Sequence, residues 1–120
     1  MDADLSWSVD DPAAIADRLR SLEAELSGHL ERAAEDIVLK IEADAARNAP
    51  VDTGRLRASI DSMVERVSQD MIRGVVGSNV DYALAQEIEQ PYVRPAIESN
   101  RGFILERIEA ALESAWEASG

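Results

Sequence analysis

Asp52-Thr53-Gly54 is the first group of residues in this chain whose types could do chemistry. It is the tripeptide that aspartic proteases use, and that chemistry needs two such aspartates sharing one proton across a homodimer. The surroundings argue against it. The tripeptide follows a helical stretch ending Ala45-Ala46-Arg47-Asn48-Ala49-Pro50, not an apolar strand, and too few strands follow to build a nearly all-β protease. His29 is the only histidine and there is no cysteine, so neither a zinc set nor a thiol nucleophile can be assembled. Beside Leu30, His29 reads as a helix-surface or interface residue. Glu106, Glu109 and Glu113 recur at helical spacing, which describes a solvated face better than a carboxylate metal site. No Gly-x-Ser-x-Gly elbow, P-loop or dinucleotide fingerprint occurs. The sequence thus predicts no catalytic residue, no metal and no cofactor.

Charge bounds the partners. Asp and Glu total 24 against 12 Lys and Arg, a net charge of −12, and Lys40 is the one lysine among eleven arginines. A surface this negative repels the nucleic-acid backbone, which excludes a DNA-gripping module. The acid is either a solvated coat that maintains solubility or an adaptation to high salt, where screening over a few ångströms removes self-repulsion. No apolar run approaches the ~20 residues of a membrane span. The acidic Met1-Asp2-Ala3-Asp4 start lacks the basic character of a secretory signal, so use without export is expected.

The elements that position these residues follow from periodicity. The 120 residues fit one domain, residues 1–120. Leu5, Trp7 and Val9 alternate with Ser6 and Ser8, a short strand signal. Asp10-Asp11-Pro12 supplies an N-cap and a first-turn proline. From there Ile15, Leu19, Leu22, Leu26, Leu30, Ala33, Ile37, Ile41 and Ala45 step by threes and fours, predicting a helix over 12–48. At ~1.5 Å per residue it is roughly 55 Å long, more than a small domain spans, so part of its stripe should pack on another subunit. Gly28 is a candidate kink.

Asn48 and Pro50 stop that helix. Asp52, Thr53 and Gly54 form a turn into a short helix over 55–60. Strands over 61–68 and 71–78 flank Gln69-Asp70 as a hairpin, with Gly74 and Gly77 marking a bulge or close backbone approach. Gly54 and Gly77 are expected where a side chain would obstruct the backbone. Residues 82–89 read as a helix and Pro91–Pro95 as a stiff extended linker. The final helix begins near Pro95, with Ile97, Ile104, Ile108, Leu112 and Ala115 or Trp116 on one face. The fold class is α+β: a long N-terminal helix, a small antiparallel sheet with a central hairpin, and a C-terminal helix. Tyr92, Arg94 and Pro95, with Tyr82, form the candidate subunit or partner interface.

Three blocks in order resemble one known family. Ala49-Pro50-Val51-Asp52-Thr53-Gly54-Arg55-Leu56-Arg57-Ala58-Ser59-Ile60, then Val76-Gly77-Ser78-Asn79-Val80-Asp81-Tyr82-Ala83 with Glu87, then Pro91-Tyr92-Val93-Arg94-Pro95-Ala96 are similar to the small tail-component proteins of long-tailed phages, described as tail-completion, neck or head–tail connector proteins. The loop before Pro91 is shorter here than in that family, and Tyr92 stands where Phe is usual.

The resemblance implies a non-enzymatic virion protein of the siphovirus type, built in the host cytoplasm. It implies a ring, commonly of six copies, at the head–tail junction. The implied partners are further copies of itself, a head-side connector or portal complex, and tail-tube or tail-terminator proteins. DNA passes through without specific binding. The competing expectation is an acidic helical adaptor or regulator; the remote one is the homodimeric protease acting through Asp52.

Overall fold

The computed structural model describes residues 11–50, 54–68 and 71–120. The expected strand at Leu5–Val9, the turn residues Asp52 and Thr53, and the Gln69-Asp70 hairpin turn lie outside the described residues.

Helix α1 runs from Pro12 to Asn48. Its start is set as the sequence predicts: the Asp11 carboxylate accepts from Ala13 N at 3.0 Å, and Pro12 occupies the first turn, where its missing N–H has no partner to lose. Its end is set by Ala49, already extended at φ −63°, ψ 141° ahead of Pro50. Gly28 does not break it, since the i→i−4 ladder tolerates a glycine at a cost near 1 kcal/mol. An added Cβ at Gly28 meets nothing within 4 Å. Gly28→Ala should therefore stabilise the monomer by about 0.5–1 kcal/mol, read as a rise in the urea midpoint at constant slope.

Beyond the turn come α2 (Gly54–Ser59), β1 (Asp61–Ser68), β2 (Met71–Gly77), α3 (Ala83–Glu89), α4 (Val93–Ser99) and α5 (Arg101–Ser119). The two strands form an antiparallel hairpin, with Asp61 opposite Gly77, Val64 opposite Gly74 and Ser68 opposite Met71, and a bulge between Arg66 and Ser68. Ser62, Val64, Ile72, Gly74 and Val76 share the face turned to α1. Met63 and Val75, directly opposite one another, stay about half exposed on the outer face beside the Glu65–Arg73 ion pair.

Two expectations near the C-terminus need correcting. Residues 93–95 are not a linker: Pro95 sits in the first turn of α4, a position that needs no proline N–H. The final helix is interrupted at Asn100, whose amide donates both to Ala96 O at 2.6 Å and to the Asp44 carboxylate at 2.8 Å. The predicted apolar stripe is the buried one only at Ala115 and, in part, Ile104. Ala96, Ala111 and Ala115 face α1, whereas Ile97, Ile108 and Leu112 remain 37–47% exposed. Alanine lets two helix backbones approach closely and pushes large side chains to the flanks.

The helix pair α1–α5 runs antiparallel, shown by Arg18 over the Trp116 ring at 4.1 Å, the Asp36–Arg107 ion pair and the Asp44–Asn100 bond. The result is long, 64 × 28 × 19 Å, with a Cα radius of gyration of 18.7 Å against about 14 Å for a compact chain of this length. Among the described residues the first of α1 to be fully buried is Ala33, and α5 covers the helix's N-terminal half only in part.

Candidate functional site

The family-like blocks converge at the C-terminal end of α1. Ile41, Ala45 and Ala49 form a floor on which Leu56, Ile60, Ala83, Tyr92 and Ala96 close. Leu56, Ala45 and Ala96 are completely inaccessible. Around this core, side chains tie the loops down. Asn48 Nδ2 donates to Tyr92 O at 3.2 Å, and Arg57 Nη2 donates to Ala49 O at 3.0 Å. Ser59 Oγ donates to Leu56 O at 2.7 Å and also meets the Ser78 hydroxyl, joining the end of α2 to the end of β2.

Glu87 has the most definite task. Its Oε1 accepts from Tyr92 N at 3.2 Å and Val93 N at 2.9 Å, and its Oε2 accepts from Arg94 N at 3.3 Å. Those are orphan N–H groups at the start of α4, where the helix dipole favours a negative charge. The short segment from Glu87 to Pro91 brings this carboxylate over the helix end. Glu87→Ala should cost about 1–2 kcal/mol of monomer stability and Glu87→Gln less, as seen in urea midpoints.

A second anchor holds α1 to the α4–α5 break. Asp44 Oδ2 accepts from Lys40 Nζ at 2.7 Å and Asn100 Nδ2 at 2.8 Å, with Arg47 3.2 Å from Oδ1. The Asn100 hydrogen bond, then Lys40 and Arg47, hold the Asp44 carboxyl below its ordinary value of 3.8. A depressed folded-state pKa contributes stability above the unfolded pKa and loses it as pH falls through the folded one. Asp44→Ala should therefore be less stable than the parent at neutral pH, with the gap in melting temperature closing below about pH 4.

The predicted interface residues divide. Tyr92 is a core residue, 2% exposed, with its hydroxyl 3.5 Å from Ala83 O and its pKa raised by burial and by Glu87, so its side chain cannot meet a partner. The alternation around Pro91–Pro95 concealed this, because α4 turns Tyr92 and Ala96 inward together. Arg94 and Pro95 are exposed, and Tyr82 is half-buried with Arg55 over its ring at 5.6 Å. Close to them in sequence, Leu84 and Ile88 are 74% and 72% exposed, one turn apart on α3.

The glycine expectations also divide. An added Cβ at Gly54 or Gly77 meets nothing within 4 Å, and no described glycine has positive φ. The close approach is at Gly74, where a Cβ would lie 2.5 Å from Val38 Cγ1, so β2 packs its backbone directly on α1.

His29 lies beside Glu25 at 3.6 Å and Arg32 at 3.2 Å on α1. No group of three or more potential metal-ligating His, Cys, Asp or Glu side chains is found among the described residues, Glu106, Glu109 and Glu113 included. Among the described residues no helix is long and apolar enough to cross a membrane. The described strands number two, against the nearly all-β build that a protease acting through Asp52 requires.

No curated protein and no solved structure matches the chain at a significant level. A family model does: the one described as "Bacteriophage HK97-gp10, putative tail-component" matches residues 13–90, from the first turn of α1 to the end of α3. The chain belongs to this HK97-gp10-like family of phage tail components.

Proposed function

We propose that the protein is a structural, non-catalytic virion component that forms a ring at the head–tail junction, joins tail to head and surrounds the path of the DNA. Family membership over residues 13–90 carries the tail assignment. The partly covered N-terminal half of α1 supports self-association. A helix that buries nothing fully before Ala33 leaves Leu19 half exposed and Leu22, Leu26 and Leu30 only partly covered, and neighbouring copies would complete that cover. A closed ring needs two different patches on each copy meeting head to tail. Arg94, Pro95 and Tyr82, with Leu84 and Ile88 nearby, supply a second patch at the other end of α1.

The charge fits a conduit. Six copies of a −12 chain carry −72 formal charges, and an acidic wall lets DNA pass without gripping its phosphates. The remaining partners are a head-side connector or portal complex on one side and tail-tube or terminator proteins on the other. Whether the acid also marks a high-salt host is decided by the same experiment that tests the ring. Native mass is measured against ionic strength. A ring whose subunit contacts hold acid should close more completely as salt rises, because the Debye length shrinks to ~3 Å at 1 M. Mass fixed at 13.1 kDa at every salt contradicts ring formation by the isolated protein.

A further inference from the structure

An apolar groove of about 460 Å3 runs along α1 between the hairpin and α5. Leu26, Leu30, Ala34 and Ile37 of α1 form its floor, with Ile72 of β2 and Ile108 of α5 at its sides. None of these six side chains is buried. Toward the other end of α1, the seven-residue helix α3 carries Leu84 and Ile88, the most exposed large apolar side chains among the described residues. This helix is anchored. Ala83 lies in the core with Ile41 and Ala45, and Glu87 binds the start of α4, so Leu84 and Ile88 are held outward as a ridge.

The ridge matches the groove in spacing, length and charge. Leu84 and Ile88 stand four residues apart, as do Leu26, Leu30 and Ala34, the rows that interdigitate when two helices pack. At ~1.5 Å per residue the floor from Leu26 to Ile37 is ~16 Å long, room for the ~10 Å of α3. The charged residues lining the groove and the cleft beside it are Arg20, Arg66 and Glu23, two cations to one anion on a chain of net charge −12. Arg20 and Arg66 form exposed pairs with Asp17 and Glu31, and a guanidinium in such a pair keeps further N–H donors. From Asp81 to Val93 there is no basic residue, and Asp81 and Glu89 are exposed. Two copies that repel overall are steered together where their local signs are opposite. A copy cannot fill its own groove with this helix. Ala83 packs in the core with Ala45, which lies ~22–28 Å along α1 from Leu30 and Leu26.

We propose that α3 of a neighbouring copy packs in this groove, with Leu84 and Ile88 on Leu26, Leu30 and Ala34, and Glu89 facing Arg20 and Arg66. This is an amphipathic helix laid in a hydrophobic groove. The inference rests on the ring reading and names the two surfaces that meet. The contact is heterologous, since ridge and groove are different surfaces of each copy, which is what ring closure requires.

The absence of cysteine allows a direct test in the full-length protein. Ala85→Cys protein, altered beside Leu84 on the exposed face of α3, is mixed with Ser27→Cys protein, altered in the groove lining, and oxidised. The control mixture pairs Ala85→Cys with Glu35→Cys, exposed on α1 outside the groove. Several-fold more covalent dimer, at twice 13.1 kDa, is expected in the first mixture than in the control or in either protein oxidised alone. Equal yields overturn the proposal. In parallel, Leu84→Ser/Ile88→Ser should reduce the native mass to 13.1 kDa with an unchanged urea midpoint, because both side chains are exposed in the monomer. An oligomer whose mass survives the double change overturns this inference alone. A parent protein that stays monomeric at every salt overturns the ring reading and this contact with it.

Discussion

Replacing Tyr92 by alanine should destabilise the isolated monomer by about 3–5 kcal/mol, the range for removing a large buried aromatic. The ring is 2% exposed and stands among Ile41, Ala45, Ala49, Leu56 and Ala83, where the cavity left behind cannot collapse without moving α4 off α1. Tyr92→Phe should cost less than about 1 kcal/mol, because the hydroxyl's contact with Ala83 O is long at 3.5 Å. Arg94→Ala, two residues away and exposed, should leave the thermal melt unchanged, since the hydrogen bond to Glu87 comes from its backbone. An assembly defect in Arg94→Ala with an unchanged melt would place the contact surface beside the core. A large loss of monomer stability in Arg94→Ala would place Arg94 within the core.

Leu56→Ala should cost about 2–5 kcal/mol for the same reason: this side chain is fully buried, and it holds α2 against the end of α1. Leu19→Ala offers the contrast. Leu19 is half exposed near the N-terminal end of α1, so its truncation should change monomer stability by no more than about 0.5 kcal/mol while weakening association. Chemical denaturation at low concentration reports the first effect and native mass at high concentration the second. The division follows from the shape. The monomer's stability is concentrated where α1 ends, whereas Leu19 belongs to the partly covered apolar stripe where α1 begins.

Much of this was legible from local chemistry. Asp11-Pro12 and Asn48-Ala49-Pro50 bound α1 because capping and proline sterics act within a few residues. The β-branched run about Val64 and Val75-Val76 marks the hairpin in the same way. What escaped is tertiary. Asn100 reads as an ordinary helical position until Asp44, 56 residues earlier, is placed opposite it. Ala96 and Ala111 were passed over for Ile97, Ile108 and Leu112, because hydrophobicity alone ranks the larger side chains first, whereas close helix approach selects the smaller. Glu87 stood within a recognisable block, yet its role required knowing that α4 starts at Val93 and not after Pro95. Gly74 was distinguishable from Gly77 only once Val38 was seen beneath it.

The proposal that this chain is a structural ring component where tail meets head is decided in the particle itself. Imaging of intact particles tests it most directly. Several copies of the 64 Å long chain are expected around the DNA path at the head–tail junction, with the partly covered half of α1 against a neighbour. A junction whose density is filled completely by other proteins, with this chain absent from the particle, would contradict it.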